Sequence, residues 1–160
     1  MVASALVNDL KSLACELLEK EKKLLLDEKD EYAVAAVVVI TQETRYWEEA
    51  KFNDADEKSA IYADIVRRAN ENRAIAIITV NSSYEKPVNG SEELANYRWG
   101  DLSASESQRA ITITISGAGI APCSMSLPYC FESGSVTLGE PTAFEPAVID
   151  LLPDWPQLLC

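Results

Sequence analysis

The chain of 160 residues contains no histidine. Ser-His-Asp and Cys-His nucleophilic sites need imidazole to carry the proton, so both are excluded. HExxH zinc hydrolysis and Cys₂His₂ fingers fall for the same reason. Catalysis in this chain has only carboxylates, Lys, Tyr, Cys or a bound metal to draw on. Positive charge is scarce too: 14 Lys and Arg stand against 26 Asp and Glu, a net of −12. Nucleic acids and anionic lipids are held by clustered cations, so neither direct nucleic-acid binding nor membrane docking is expected. No apolar run approaches the roughly 18 residues of a membrane span. The start, MVASALVNDLKSLAC, has no basic first region, and Asn8, Asp9 and Lys11 break its apolar run. That argues against a secretion signal and for the cytoplasm.

Phosphate-binding loops are missing as well. Gly117 and Gly119 form a GxG, but Pro122 stands where a dinucleotide loop needs its third glycine, and a strand pattern follows instead of a helix. No GKS or GKT sequence occurs. The four cysteines are Cys15, Cys123, Cys130 and Cys160, and no two have the close spacing of a zinc site. Cys123 and Cys130 lie an odd number of residues apart, so on one strand they point to opposite faces. Neither has a cationic neighbour in sequence to lower its pKa. The cysteines read as thiols without a special role, and no cofactor or metal is implied.

What is present is an ordinary globular balance, 48% hydrophobic and 25% charged, in a length that suits one domain spanning residues 1–160. Residues 3 to about 28 read as a long helix. Ala3, Leu6, Leu10, Leu13, Leu17 and Leu24 share a stripe that Lys20 interrupts, and Val7, Ala14, Leu18 and Leu25 widen it. Glu16 with Lys20 and Glu19 with Lys23 have helix-pair spacing. Such a helix is about 40 Å long and packs across a sheet or against its own copy.

YAVAAVVVIT (32–41) and NRAIAIITV (72–80) are apolar, β-branched runs that read as buried strands. Between them FNDADEKSA places Asp54, Asp56 and Glu57 within four positions. A calcium loop starting at Asp54 needs an oxygen ligand at position five, Gly at six and Glu at twelve, but the chain has Lys58, Ser59 and Ile65. Helix capping accounts for the cluster: Asp54 as N-cap, Glu57 three residues on, and Arg67 and Arg68 near the far end. Strand 32–41, helix 55–71 and strand 74–81 then suggest a parallel crossover. The alternative makes 45–52 a further helix and separates the strands.

Residues 83–108 read as a long polar loop containing Tyr97 and Trp99. From 109 the period is two. Ile111, Ile113 and Ile115 oppose Thr112 and Thr114, and Met125, Leu127, Tyr129 and Phe131 alternate with Ser124, Ser126, Pro128 and Cys130. ESGS turns the chain into an antiparallel VTL, Pro128 implies an edge or a bulge, and EPAVIDLL suits two helical turns. The expected fold is α/β or α+β: a mixed sheet of about five strands, a long N-terminal helix, a crossover helix and a C-terminal antiparallel β-meander.

Ligands of open α/β sheets sit beyond the carboxyl ends of parallel strands. In this reading those ends bring together Gln42, Glu43 and Arg45 with Asn81, Ser82 and Ser83, a set suited to a small polar molecule. Glu43 would serve as base or metal ligand and Arg45 as anion clamp. Two functions follow. One is a non-catalytic interaction or regulatory module that self-associates through the long helix and acidic surface, with a protein or a second copy of itself as partner. The alternative is a small-ligand-binding protein or a carboxylate- or metal-dependent enzyme using the strand-end cluster.

Overall fold

The computed structural model describes residues 2–28, 36–50, 55–85, 108–117, 120–132, 135–146 and 152. The chain runs α1 (Val2–Glu28), β1 (Ala36–Ile40), β2 (Arg45–Glu49), α2 (Ala55–Glu71), β3 (Ala76–Glu85), β4 (Gln108–Gly117), β5 (Ile120–Glu132), β6 (Ser135–Leu138) and β7 (Glu145–Pro146). Strand order in the seven-stranded sheet is β2-β1-β3-β4-β5-β6, with β7 beside β5. Every pairing is antiparallel. The fold is therefore α+β with an open sheet, neither mixed nor five-stranded.

The parallel crossover fails because of RYWEE. Residues 45–49 are not helical but fold back as β2 on β1, with Ile40 opposite Arg45 and Ala36 opposite Glu49. This reverses the chain once more before α2. β3 therefore pairs antiparallel with β1, Ile40 lying opposite Ala76. α2 still crosses the sheet, but it joins β2 to β3, which run the same way on either side of β1. The expectation of two helical turns from Glu145 also gives way: Glu145 and Pro146 bridge Ser124 and Cys123 of β5. Residues 147–151 lie outside the described set, as do 86–107 with Tyr97 and Trp99.

The faces of the sheet follow from period two. Ala36, Val38, Ala76, Ile78, Val80, Ile111, Ile113, Ile115, Met125, Leu127 and Tyr129 face α1 and form one core with Leu10, Ala14, Leu18 and Leu25. Full burial of one such Leu or Ile contributes about 1.5–3 kcal/mol. The centre of the α1 seam is rotated from the expected stripe. Leu13 and Leu17 flank it, Lys20 is exposed, and Glu21 sits on the buried line at 7% exposure. Glu19 pairs with Lys22 at 2.9 Å, not with Lys23. Lys20 turns to the ring of Trp47, 5.0 Å from its centroid, and Lys11 lies 5.5 Å from the ring centroid of Phe144. These cation–π contacts fasten α1 to β2 and to the segment leading into β7.

On the other face, α2 covers Val37, Val39 and Ile77 with Tyr62, Ile65, Val66 and Ala69. The helix ends at Glu71 and the chain leaves it through Arg73, whose φ is +54°. Ala74 N donates to Ala69 O at 2.9 Å and Arg73 N to Asn70 O at 3.2 Å. That is a Schellman stop with arginine where glycine is the usual residue.

β4 turns into β5 at Gly117, which pairs with Ile120 at a φ of +101°. A Cβ there would lie 2.5 Å from the Ile75 carbonyl oxygen, so only glycine fits. The outer side of β5 is closed by the chain itself. β6 pairs with it from Tyr129 to Glu132. Gly139 N then donates to Pro128 O, and Thr142 N to Ser126 O, both at 2.8 Å. The missing N–H of Pro128 lies on the same outer side as its carbonyl, where the regular ladder to β6 has already ended.

Candidate functional site

The strand-end cluster is not assembled. Gln42 and Glu43 are exposed residues of the β1–β2 turn, and Arg45 is the exposed first residue of β2. Thr41 builds this turn. Its hydroxyl accepts Glu43 N at 3.3 Å and Thr44 N at 3.1 Å, while Thr41 N donates to Thr44 O at 2.8 Å. Asn81, Ser82 and Ser83 lie past the other end of β1, since Ala36 is opposite Val80. At strand rise, Asn81 sits about 17 Å along β3 from Ala76, the residue beside the turn. The geometry groups Gln42, Glu43 and Arg45 together and Asn81, Ser82 and Ser83 together, but antiparallel pairing holds the two groups apart. Asn81 and Ser82 also face opposite ways. Asn81 points to the α2 side and accepts a hydrogen bond from Tyr62 OH at 2.9 Å. Ser82 is on the α1 side and shares a hydroxyl hydrogen bond of 2.5 Å with Tyr129.

Helix α2 begins at Ala55 with Asp56 and Glu57 exposed in its first turn, and Arg68 lies in its last. The cap at Asp54 falls outside the described residues. Among the described residues no three His, Cys, Asp or Glu side chains are grouped to hold a metal ion. Cys123 packs against the α1 core and Cys130 is exposed. Burial pushes the Cys123 thiol pKa up, away from a reactive thiolate.

Two features that the residue patterns did not announce stand out. The first is a polar ladder beside α2. Across β3, β4 and β5, Thr79 faces Thr114, which faces Ser124, and Asn81 faces Thr112, which faces Ser126. Thr79 is 1% exposed and Asn81 7%. Among the described residues Thr79 Oγ1 and Asn81 Nδ2 have no hydrogen-bond partner. Burial raises the pKa of Tyr62 above that of an ordinary phenol and so keeps it a donor to Asn81. The alternation of RAITITIS is legible, but not that Thr114 on its threonine face is buried.

The second feature is the edge strand β2, which pairs only with β1 among the described strands. Its side chains alternate. Tyr46 and Glu48 turn to the α2 side, where Arg68 clamps both oxygens of Glu48, one from Nη1 at 2.9 Å. Arg68 also donates to Asp64 at 2.9 Å, and Arg67 bridges Asp64 and Glu71. Arg45, Trp47 and Glu49 turn to the α1 side and are exposed, Trp47 by 56%. Between β2 and α2 runs an open groove of about 460 Å³ lined by Glu48, Glu49, Ala60, Ile61, Asp64 and Arg68. An edge strand carries a row of outward backbone donors and acceptors, and an exposed indole next to that row is a ready anchor for another chain.

No helix among the described residues is long and apolar enough to cross a membrane. No protein-family model, curated protein or solved structure matches the chain.

Proposed function

We propose that the protein is a non-catalytic interaction module that associates with itself. The observation that carries this reading is Trp47, a large aromatic side chain 56% exposed on an edge strand. The leucine seam of α1 gives no support, because Leu10, Ala14, Leu18 and Leu25 are spent on the sheet. Self-association is accordingly assigned to the sheet edge and not to a coiled coil. The absence of histidine and the net charge of −12 agree with a partner that is neither a catalytic substrate nor a polyanion. Light scattering across a concentration series tests the reading. The expected result is a mass that rises towards that of an oligomer in the native chain and stays monomeric in Trp47→Ala. A native chain that stays monomeric at the highest concentration refutes it.

A second reading is supported by Thr79 Oγ1 and Asn81 Nδ2, which find no partner among the described residues. Buried polar atoms without partners are costly, about 1–3 kcal/mol each. A small neutral molecule rich in hydroxyl or amide groups, seated on the polar ladder, would remove that cost. Thr79→Val decides it. If a bound molecule uses the hydroxyl, the variant loses the rise in thermal midpoint that the molecule causes. If the hydroxyl is simply unsatisfied, the variant is more stable than the native protein by about 1 kcal/mol and no polyol or amide shifts either chain.

A further inference from the structure

We infer that two copies join edge to edge through β2, antiparallel, with the two Trp47 side chains meeting on the two-fold axis. This deepens the self-association reading and rests on it. β2 reads Arg45-Tyr46-Trp47-Glu48-Glu49. In an antiparallel pair centred on Trp47, residue 45 of one copy stands opposite residue 49 of the other, and 46 opposite 48. The two-fold axis is perpendicular to the sheet, so each face meets its own kind. On the α1 side Arg45 meets Glu49 of the second copy, Trp47 meets Trp47, and Glu49 meets Arg45. The face is complementary to itself, as a two-fold interface requires.

Charged residues on an edge ordinarily block strand addition. Here the order of charges, cation then indole then anion, sets like charges against each other in a parallel pairing and opposite charges in this one. Glu49 can take the arginine of the second copy whatever contact it makes within its own chain, because a carboxylate has two oxygens and about four acceptor sites. Lys20 lies against the Trp47 ring and limits its orientation before association. The five residues of β2 match one another over their full length only in this register. The product is one continuous sheet running through both copies, with the groove of each copy beside the junction.

Three variants test the inference: Arg45→Glu, Glu49→Arg and the double exchange. Arg45 and Glu49 are exposed, so circular dichroism should show all three folded. Either single exchange puts like charges opposite each other twice, and the dimer dissociation constant should rise about tenfold or more. The double exchange should restore it. Mixing the two single variants is the sharpest arm. A carboxylate at 45 and Glu49 in one chain then face Arg45 and an introduced cation at 49 in the other, so a heterodimer should form from two weakened homodimers. Native dimers that survive both single exchanges, with no gain on mixing, overturn this register and leave self-association standing. A native chain that is monomeric throughout overturns both.

Discussion

The two edges of the sheet are handled differently. Beyond β5 the chain lays down β6, then Gly139 and Thr142, then β7, so main-chain bonds from the same molecule meet that strand along most of its length. Beyond β1, among the described residues, it lays down only β2, tied to α2 by the Arg68–Glu48 clamp and to α1 by the Lys20–Trp47 contact. At the first edge several short backbone segments share β5, and at the second a single strand is held to both helices by side chains. An edge held from behind by side chains leaves its outer backbone donors and acceptors for another strand, and the proposed association uses them.

The centre of the sheet sets the scale for breaking that comparison. Ile113 is fully buried on β4, between Val80 and Met125. Ile113→Ala should cost about 2–5 kcal/mol and lower the denaturation midpoint without preference for either edge. Gly139→Ala bears on the β5–β6 edge alone. A Cβ there would lie 2.9 Å from Pro128 Cγ and 3.1 Å from Pro128 O. The expected loss is about 1–3 kcal/mol, read as a lower urea midpoint, with self-association unchanged. If this substitution abolishes the dimer, the assignment of the interface to β2 is wrong.

The smallest effect is on pH dependence at the open edge. Arg67, chiefly by its hydrogen bond, and Arg68 hold Asp64 below the ordinary aspartate value of 3.8. A folded-state pKa below the unfolded one contributes stability that is complete above the unfolded value and lost as pH falls through the folded one. Arg67→Met should therefore narrow the fall in thermal midpoint between neutral pH and strong acid. Because Asp64 is a surface group, the change is small. An identical acid limb in both chains contradicts the role given to Arg67.

How much of this was legible depends on what each element shows to its surroundings. β3, β4 and β5 could be read because buried faces impose β-branched residues at alternate positions, as Ile111, Ile113 and Ile115 show. α2 could be read from its apolar face and its acidic first turn. β2 could not, since an edge strand buries little: RYWEE has only Tyr46 and Glu48 half-covered. Missing it made β1 and β3 parallel and drew Gln42, Glu43 and Arg45 towards Asn81. Other features break the local rules. Arg73 takes a glycine conformation, Glu21 takes a core position, and Thr79 and Asn81 are buried because of what packs on them, which no alternation pattern records. The candidate interface residue Trp47 was hidden with its strand.

Hydrogen exchange followed by mass spectrometry at low and high protein concentration addresses the open edge directly. Amides of residues 45–49 that point away from β1 should exchange more slowly as concentration rises, while those of residues 135–138 keep one rate. Equal rates in β2 at all concentrations, or slowing in β6 instead, would contradict an association that proceeds through the edge carrying Trp47.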